Sequence, residues 1–269
     1  MKERLITGLV LALVLIPMLF VSVTLFTLIL GVFSVVAGYE IIRVFTQKHS
    51  YRRGYRGFHM VATGFLYTLM VVDYLQLLSE NLLSLGLLFV MIVVLVWYVF
   101  DEKLETTMAA KSFLAMVYVA FGFAAISMTR SISLELLGYL LILTMATDVF
   151  AYFSGYLFGR HKLAPLISPK KTVEGAIGGT VVAVIIATVY RSLMPSFTDL
   201  SLVLVILLGI IVSFLAQIGD LVASKLKRAH DVKDFSHLLP GHGGLLDRFD
   251  SSIFAAMALM IAMMFIEVL

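Results

Sequence analysis

The stretch that decides the fold is LITGLVLALVLIPMLFVSVTLFTLILGVFSVVAG, from Leu5 to Gly38, which contains no charged residue. A membrane-spanning helix needs about 20 apolar residues, whereas the apolar part of a secretory signal peptide has only about 7–15. The run is therefore long enough for two spans and too long for a signal peptide. Pro17 interrupts it, because proline lacks the N–H that a helix interior uses. We predict two retained transmembrane helices, at 5–20 and 22–42.

The rest of the chain has the same apolar character. Of its 269 residues, 61% are hydrophobic and only 14% are charged, whereas soluble domains have about 25% charged residues. Further candidate spans lie at 58–77, 81–100, 109–129, 133–157, 174–193, 198–222 and 248–268. The predicted fold class is an all-α polytopic integral membrane protein with about nine transmembrane helices.

Basic residues indicate how these helices are oriented, because Lys and Arg concentrate in cytoplasmic loops. With this set of spans, every Lys and Arg except Arg130 and Arg191 falls on the side of the N-terminus. We therefore predict a cytoplasmic N-terminus and a C-terminus on the opposite side of the cell membrane, meaning the inner or plasma membrane.

The composition also excludes several classes of protein. The chain has no cysteine, which excludes disulfides and thiolate metal sites. The sequence shows no dense basic stripe with interleaved aromatic residues, so we expect no nucleic-acid partner.

Three polar segments stand out in the C-terminal half, and the first surrounds Asp148 inside the sixth predicted span. Asp148, Tyr152, Gly155 and Gly159 share one face of a helix. An aspartate at membrane depth is costly unless it is paired or faces water, so Asp148 is a functional candidate. A hydrogen bond to a neighbouring helix is the alternative. The two glycines are more typical of close helix packing than of chemistry.

The second polar segment is SPKKTVEG, Ser168–Gly175. Pro169 stops any helix that runs through it, and Thr172 is placed to cap the helix that begins next. Lys170 and Lys171 beside a helix N-terminus are typical of a phosphate site. Basic residues that only set the membrane topology are the alternative.

The third segment begins where Gln217, Asp220 and Ser224 share a face at the end of the eighth span. It ends with HLLPGHGGLLDRFDSS, His237–Ser252, whose glycines allow the backbone to approach a phosphate closely. Lysine and arginine neutralise phosphate oxygens, and aspartates beside substrate phosphates suit a hard cation such as Mg²⁺. Together these groups predict phosphoryl or nucleotidyl transfer at the cytoplasmic face.

The third segment carries a resemblance to a known family. SKLKRAHDVKDFSHLLPGHGGLLDRFD closely resembles the signature of the phosphatidate cytidylyltransferase (CDP-diacylglycerol synthase) family. The residues in register are Ser224, Lys227, Arg228, Lys233, Asp234, Ser236, Pro240, His242, Gly243, Gly244, Asp247, Arg248 and Asp250. The stretch from Gly159 through SPKKTVEGAIGG resembles the motif that precedes this signature in the family.

The resemblance implies a reaction in which CTP and phosphatidic acid give CDP-diacylglycerol and pyrophosphate with Mg²⁺, or with Mg²⁺ and a second cation. It implies that Asp220 and Asp247 bind metal, with Asp148 and Asp250 as further candidates. The residues that it implies for catalysis are Lys227, Arg228, Lys233, Asp234, His242, Arg248 and Asp250. Those that it implies for substrate binding are Lys170, Lys171, Thr172, Ser224, Gly243 and Gly244. Membrane lipids and a homodimer partner are implied as well.

These assignments divide one membrane-embedded enzyme, 1–269, into three parts. The N-terminal helices, 1–80, receive no role from the sequence. The middle helices, 81–160, carry Asp148. The C-terminal helices, 161–269, carry the SPKKT and S-x-x-K-R to D-R-x-D motifs.

Two other functions fit parts of the pattern. A CTP-dependent kinase for a polyprenol-type lipid alcohol would use the same cation and nucleotide. An ion-coupled transporter would use Asp148 and Asp220 as an ion path. The transporter is disfavoured because the sequence shows no internal repeat and no matched pair of broken helices.

Overall fold

The computed structural model describes residues 13, 15–47, 53–77, 81–194 and 200–268. The chain forms two compact units. The first contains the chain up to Met128 together with Asp234–Arg248, and the second contains Thr129–Lys233 together with Phe249–Leu269. A segment close to the C-terminus therefore belongs to the unit that contains the N-terminal helices.

The first unit is built from helices joined by close packing and by hydroxyl hydrogen bonds. Its helices are α1 (Val23–Phe45), α2 (Arg53–Tyr74), α3 (Leu82–Phe100) and most of α4 (Thr106–Ile132). A Cβ added at Gly38 of α1 would lie 2.8 Å from Thr63 Oγ1 of α2, so glycine is needed for this approach. The Tyr67 hydroxyl donates to the Thr27 carbonyl oxygen at 2.6 Å and lies 2.7 Å from Ser127 Oγ. These bonds link α1, α2 and α4, as expected for polar groups in an apolar bundle.

The second unit combines helices with a short hairpin. Its elements are α5 (Leu134–Phe158), β1 (Lys162–Ala164), β2 (Ser168–Thr172), α6 (Val173–Leu193), α7 (Leu202–Ala229) and α8 (Leu246–Val268) from Phe249 onward. A Cβ at Gly179 of α6 would lie 2.7 Å from the Thr147 carbonyl oxygen of α5. Ser213 of α7 lies 2.7 Å from the Thr147 hydroxyl and donates to the Thr180 hydroxyl at 3.0 Å. The three helices are therefore joined by small residues and a chain of hydroxyls.

The antiparallel hairpin of β1 and β2 connects α5 to α6. Its turn is closed by a hydrogen bond of 3.1 Å from the Ile167 N–H to the Ala164 carbonyl oxygen. The sequence predicted a polar, non-helical connection here but no strands. Pro165 and Pro169 explain why the connection is extended, because proline disfavours helix both at its own position and at the preceding residue.

Seven of the described helices are long and apolar enough to cross a membrane. They are α1 and α3 to α8, and each overlaps a predicted span, which confirms the all-α polytopic membrane class. The predicted span at 58–77 corresponds to α2, which is not among the seven. Most of the predicted span at 5–20 lies outside the described residues, although 15–20 are helical. The count of nine and the orientation of the termini stay predictions.

Candidate active site

A cleft of about 450 Å³ opens in the second unit between α5, the hairpin, α6 and α7. We call it the α5–α7 cleft. Asp148, Tyr152, Gly155 and Gly159 all line it, so the helical face predicted from the sequence is confirmed as one wall of a single cavity. Facing groups from the other elements are Lys162, Lys170, Lys171, Ala176 and Gln217.

The two glycines of α5 allow β2 and the start of α6 to pack closely against it. A Cβ at Gly155 would lie 2.8 Å from Thr172 Oγ1, and one at Gly159 would lie 2.8 Å from Thr172 Cγ2. The Thr172 hydroxyl accepts a hydrogen bond of 3.1 Å from the Gly175 N–H and caps α6. Packing by the glycines and capping by Thr172 are both confirmed. A direct contact between Thr172 and substrate stays a prediction.

Helix α7 continues to Ala229, beyond the predicted end at 222, and so carries Asp220, Ser224 and Lys227 on regular helix. Basic residues in its last turn favour this extension, because cations stabilise a helix C-terminus. Asp220 forms an ion pair with Lys171 of β2, and Ser224 donates to Asp220 at 3.4 Å. Lys171 Nζ is shielded from solvent, so the Asp220 carboxylate compensates its charge.

Three carboxylates interact in the second unit. The Asp250 carboxylate of α8 interacts electrostatically with those of Asp220 and Asp148. Ser251 Oγ lies 3.5 Å from Asp148 Oδ2. Lys227 Nζ lies 3.8 Å from Asp250 Oδ2, and these two side chains are only 10% and 11% exposed. Lys171 is paired with Asp220 and Lys227 lies beside Asp250, so the cluster combines carboxylates, which bind cations, with ammonium groups, which bind phosphate.

The carboxylate oxygens of these side chains are suitable ligands for a hard cation. Among the described residues, no three or more His, Asp or Glu side chains are grouped closely enough to hold a metal ion by themselves. Mg²⁺ is usually held by one or two carboxylates, with water and substrate phosphates as its other ligands. The all-oxygen set of Asp148, Asp220 and Asp250 therefore matches a cation that binds together with a nucleotide.

The PGHGG turn, residues 240–244, belongs to the first unit. Gly241 and Gly243 have φ angles of 73° and 82°, in the left-handed region that glycine adopts without strain. Asp247, near the start of α8, is buried, and its Oδ2 accepts hydrogen bonds of 2.8 Å from the N–H groups of Phe235 and Gly244. One oxygen of this predicted metal ligand therefore holds the turn in place.

Glu40 of α1 also holds this turn, and nothing in the family signature indicates it. Its buried carboxylate accepts hydrogen bonds from the N–H groups of Leu245 and Leu246 and from the Ser236 hydroxyl. The sequence suggested that backbone N–H groups near the glycine turn and the start of α8 contact phosphate. Two of these N–H groups instead donate to the Glu40 carboxylate. Glu40 is the only acidic residue in the predicted span 22–42. An acidic side chain at membrane depth is costly unless it is paired, so the argument that singled out Asp148 would also have found Glu40.

Comparison with known proteins agrees with the chemistry of these groups. The model of the cytidylyltransferase family matches residues 2–266. The chain belongs to this family. The phosphatidate cytidylyltransferase of Bacillus subtilis (strain 168) is 33% identical over 261 residues, which cover 94% of each chain. The enzyme of the same name from Staphylococcus haemolyticus (strain JCSC1435) is 45% identical over 148 residues, or 54% of this chain and 55% of the relative. Membership confirms the resemblance found in the motifs and makes the protein a nucleotidyltransferase.

The predicted site residues of this cytidylyltransferase divide between the two units. The second unit contains Asp148, Lys170, Lys171, Thr172, Asp220, Ser224, Lys227, Arg228, Lys233 and Asp250. The first unit contains Asp234, His242, Gly243, Gly244, Asp247 and Arg248. Within each unit the structure brings several of them together, as described above for the carboxylates and lysines and for the glycine turn.

The remaining predicted residues have less constrained surroundings. Arg228, in the last turn of α7, is exposed and donates to the Val232 carbonyl oxygen at 3.1 Å. Lys233 and Arg248 are exposed as well. Asp234 is half-buried. His242 is half-buried, and its shielded Nδ1 has no hydrogen-bond partner among the described residues. The catalytic roles expected for these side chains stay predictions.

Proposed function

We propose that the protein is a phosphatidate cytidylyltransferase, which converts CTP and phosphatidic acid into CDP-diacylglycerol and pyrophosphate. One observation carries the proposal: Asp148 and Lys171 line the same cleft, and Lys171 is paired with Asp220. Lysine binds phosphate oxygens, and carboxylates bind the hard cation that accompanies a nucleotide. The relatives named phosphatidate cytidylyltransferase support the same pair of substrates.

In this reaction a phosphate oxygen of phosphatidic acid attacks the α-phosphorus of CTP. A new P–O bond forms there. The bond from the α-phosphorus to the oxygen that bridges to the β-phosphorus breaks, and pyrophosphate leaves with that electron pair. The protein needs no covalent intermediate, because positioning and charge stabilisation are sufficient for transfer at phosphorus.

In this proposal Lys171 exchanges its partner when substrate enters. A substrate phosphate in the α5–α7 cleft would compete with Asp220 for the Lys171 ammonium. Once released, Asp220 would bind Mg²⁺ together with one neighbouring carboxylate, that of Asp148 or Asp250, and the ion would neutralise charge on the substrate phosphates. Lys170, which also lines the cleft and is exposed, adds a second cation for phosphate.

The cleft would face the cytoplasm, with the protein embedded in the plasma membrane. Basic residues concentrated on one side of the predicted topology support the cytoplasmic orientation, and the bacterial relatives support the plasma membrane. Tyr152 and Tyr156 line the cleft and are largely exposed, as is common for tyrosine at a membrane interface. Such a cleft can admit lipid from the side and nucleotide from water. The homodimer implied by the family resemblance is a separate prediction, which light scattering of the purified protein tests.

The substitution Asp220→Asn tests the proposal because it removes the charge that would bind Mg²⁺ and changes the size of the side chain very little. We expect a fall in cytidylyl transfer on the order of 100-fold. The assay uses purified protein in detergent with phosphatidic acid and CTP labelled at the α-phosphate, and removing Mg²⁺ with EDTA should abolish the labelled lipid. Asp73→Asn, at an exposed aspartate of α2, is the matched control and should keep full activity.

Each outcome has a distinct meaning. Folded wild-type protein that puts no α-label into lipid would contradict the proposed function. Label transferred from the γ-phosphate of CTP to a prenol would indicate the lipid kinase instead. Full activity of Asp220→Asn would be consistent with the proposed reaction but would show that the Asp220 carboxylate is not needed for it.

A further inference from the structure

We infer that Glu40 is a positioning residue for this reaction, whose carboxylate holds the PGHGG turn and the start of α8 in the conformation that catalysis needs. The inference rests on the proposed function. Glu40 lies on α1, in the part of the chain to which the sequence assigns no role, and it is 196 residues from its partner Ser236. All the contacts that carry the inference lie within the first unit.

Glu40 is only 2% exposed, and its carboxylate accepts hydrogen bonds from three donors. Oε1 accepts hydrogen bonds from the Ser236 hydroxyl at 2.6 Å and the Leu245 N–H at 2.9 Å. Oε2 accepts a hydrogen bond from the Leu246 N–H at 2.8 Å. Burial of a carboxylate is costly without such partners. The first N–H groups of a helix have no partner within the helix and favour a negative charge, so Glu40 and the start of α8 stabilise each other.

Gly244 couples Glu40 to the predicted catalytic residues. A Cβ at Gly244 would lie 2.7 Å from Glu40 Oε1, so glycine leaves the room that the carboxylate occupies. The Gly244 N–H donates to Asp247 Oδ2 at 2.8 Å. Glu40 therefore packs against Gly244 and binds the two residues after it, while Gly244 helps to hold Asp247. Any displacement of the Glu40 carboxylate would move both His242–Gly244 and Asp247.

Glutamine cannot reproduce this arrangement. Its amide presents one oxygen and one NH₂ group, whereas the Glu40 carboxylate accepts hydrogen bonds through both oxygens. In either orientation the NH₂ group would face a backbone N–H, that of Leu245 or that of Leu246. The turn would have to shift to avoid two opposed donors, although the side chain keeps nearly the same volume.

The test compares Glu40→Gln with the wild type and with Glu102→Gln, an exposed glutamate in the loop between α3 and α4. Cytidylyl transfer is measured per amount of folded, monodisperse protein while CTP and Mg²⁺ are varied. We expect kcat/KM for CTP to fall about tenfold or more in Glu40→Gln, as is typical when a residue that supports a metal ligand is removed. The Mg²⁺ concentration for half-maximal activity should rise, and Glu102→Gln should match the wild type.

A purely structural role would reduce the yield and melting temperature of Glu40→Gln but leave its KM for CTP and its Mg²⁺ requirement unchanged per folded molecule. That result would overturn the inference. If Glu40→Gln gives no folded protein, Ser236→Ala decides, because it removes only one donor to the carboxylate. In Ser236→Ala we expect a smaller change in the KM for CTP and in the Mg²⁺ requirement. Unchanged values of both would again overturn the inference. An inactive wild type would instead be a failure of the proposed function.

Discussion

At the residue scale, two aspartates of the second unit are compensated by lysines. Asp220 is paired with Lys171, and Asp250 lies 3.8 Å from Lys227. A buried charge that loses its partner is strongly destabilising, whereas replacing both partners by neutral groups is often tolerated. The two lysines should therefore affect stability as well as catalysis, and the two effects can be separated.

The Lys227–Asp250 pair offers a prediction at this scale. Lys227→Met should lower the free energy of unfolding by about 3 kcal/mol, because it leaves the buried Asp250 carboxylate without its ammonium. The double variant Lys227→Met/Asp250→Asn should regain much of that loss. Thermal unfolding of the wild type, of each single variant and of the double variant in the same detergent gives the coupling free energy between the two side chains. Strictly additive shifts would show that the two side chains do not stabilise each other.

At the element scale, the start of α6 is fixed by its cap. Thr172 ends β2, caps α6 through the Gly175 N–H and fills the space left by the glycines of α5. Local chemistry of this kind is visible in the sequence, because a capping threonine acts only on the residues that follow it. The same side chain lines the α5–α7 cleft, so its loss should be felt in the active site.

Removing two helix caps, one beside the cleft and one away from it, separates the effect of Thr172 on stability from its effect on activity. Thr172→Ala should cost about 1 kcal/mol of stability, as is usual for loss of a cap, and should also reduce cytidylyl transfer by loosening the wall of the cleft. Ser201→Ala removes the cap of α7, where the hydroxyl accepts from the Leu204 N–H at 3.3 Å. It should cost a similar amount of stability with little effect on activity. Equal activities in the two variants would contradict a role for Thr172 in shaping the cleft.

At the scale of the whole molecule, the predicted topology can be tested directly because the chain has no cysteine. Leu77→Cys and Glu102→Cys introduce single thiols at exposed positions on either side of α3. In intact cells, a membrane-impermeant maleimide should label residue 77 from outside and should reach residue 102 only after the membrane is opened. The reverse pattern would invert the orientation, and labelling of both positions from outside would contradict a membrane crossing between them.

Much of the architecture could be predicted from the sequence because the decisive properties are local. Composition and the length of apolar runs select a membrane protein and locate the helices. The face that carries Asp148 and Tyr152 follows from helical periodicity, and the cap at Thr172 follows from the chemistry of a helix start. The hairpin and the extension of α7 were not predicted, since their boundaries depend on packing as well as on composition.

The sequence by itself determined the class of the protein, its helices, its family and the set of candidate residues. Only the tertiary structure decided how those residues are paired. The partnership of Lys171 with Asp220 and the support of the glycine turn by Glu40 join segments far apart in the chain. No periodicity or motif encodes such contacts, because they depend on which helix faces pack together. A buried charge then selects whichever partner that packing brings within reach.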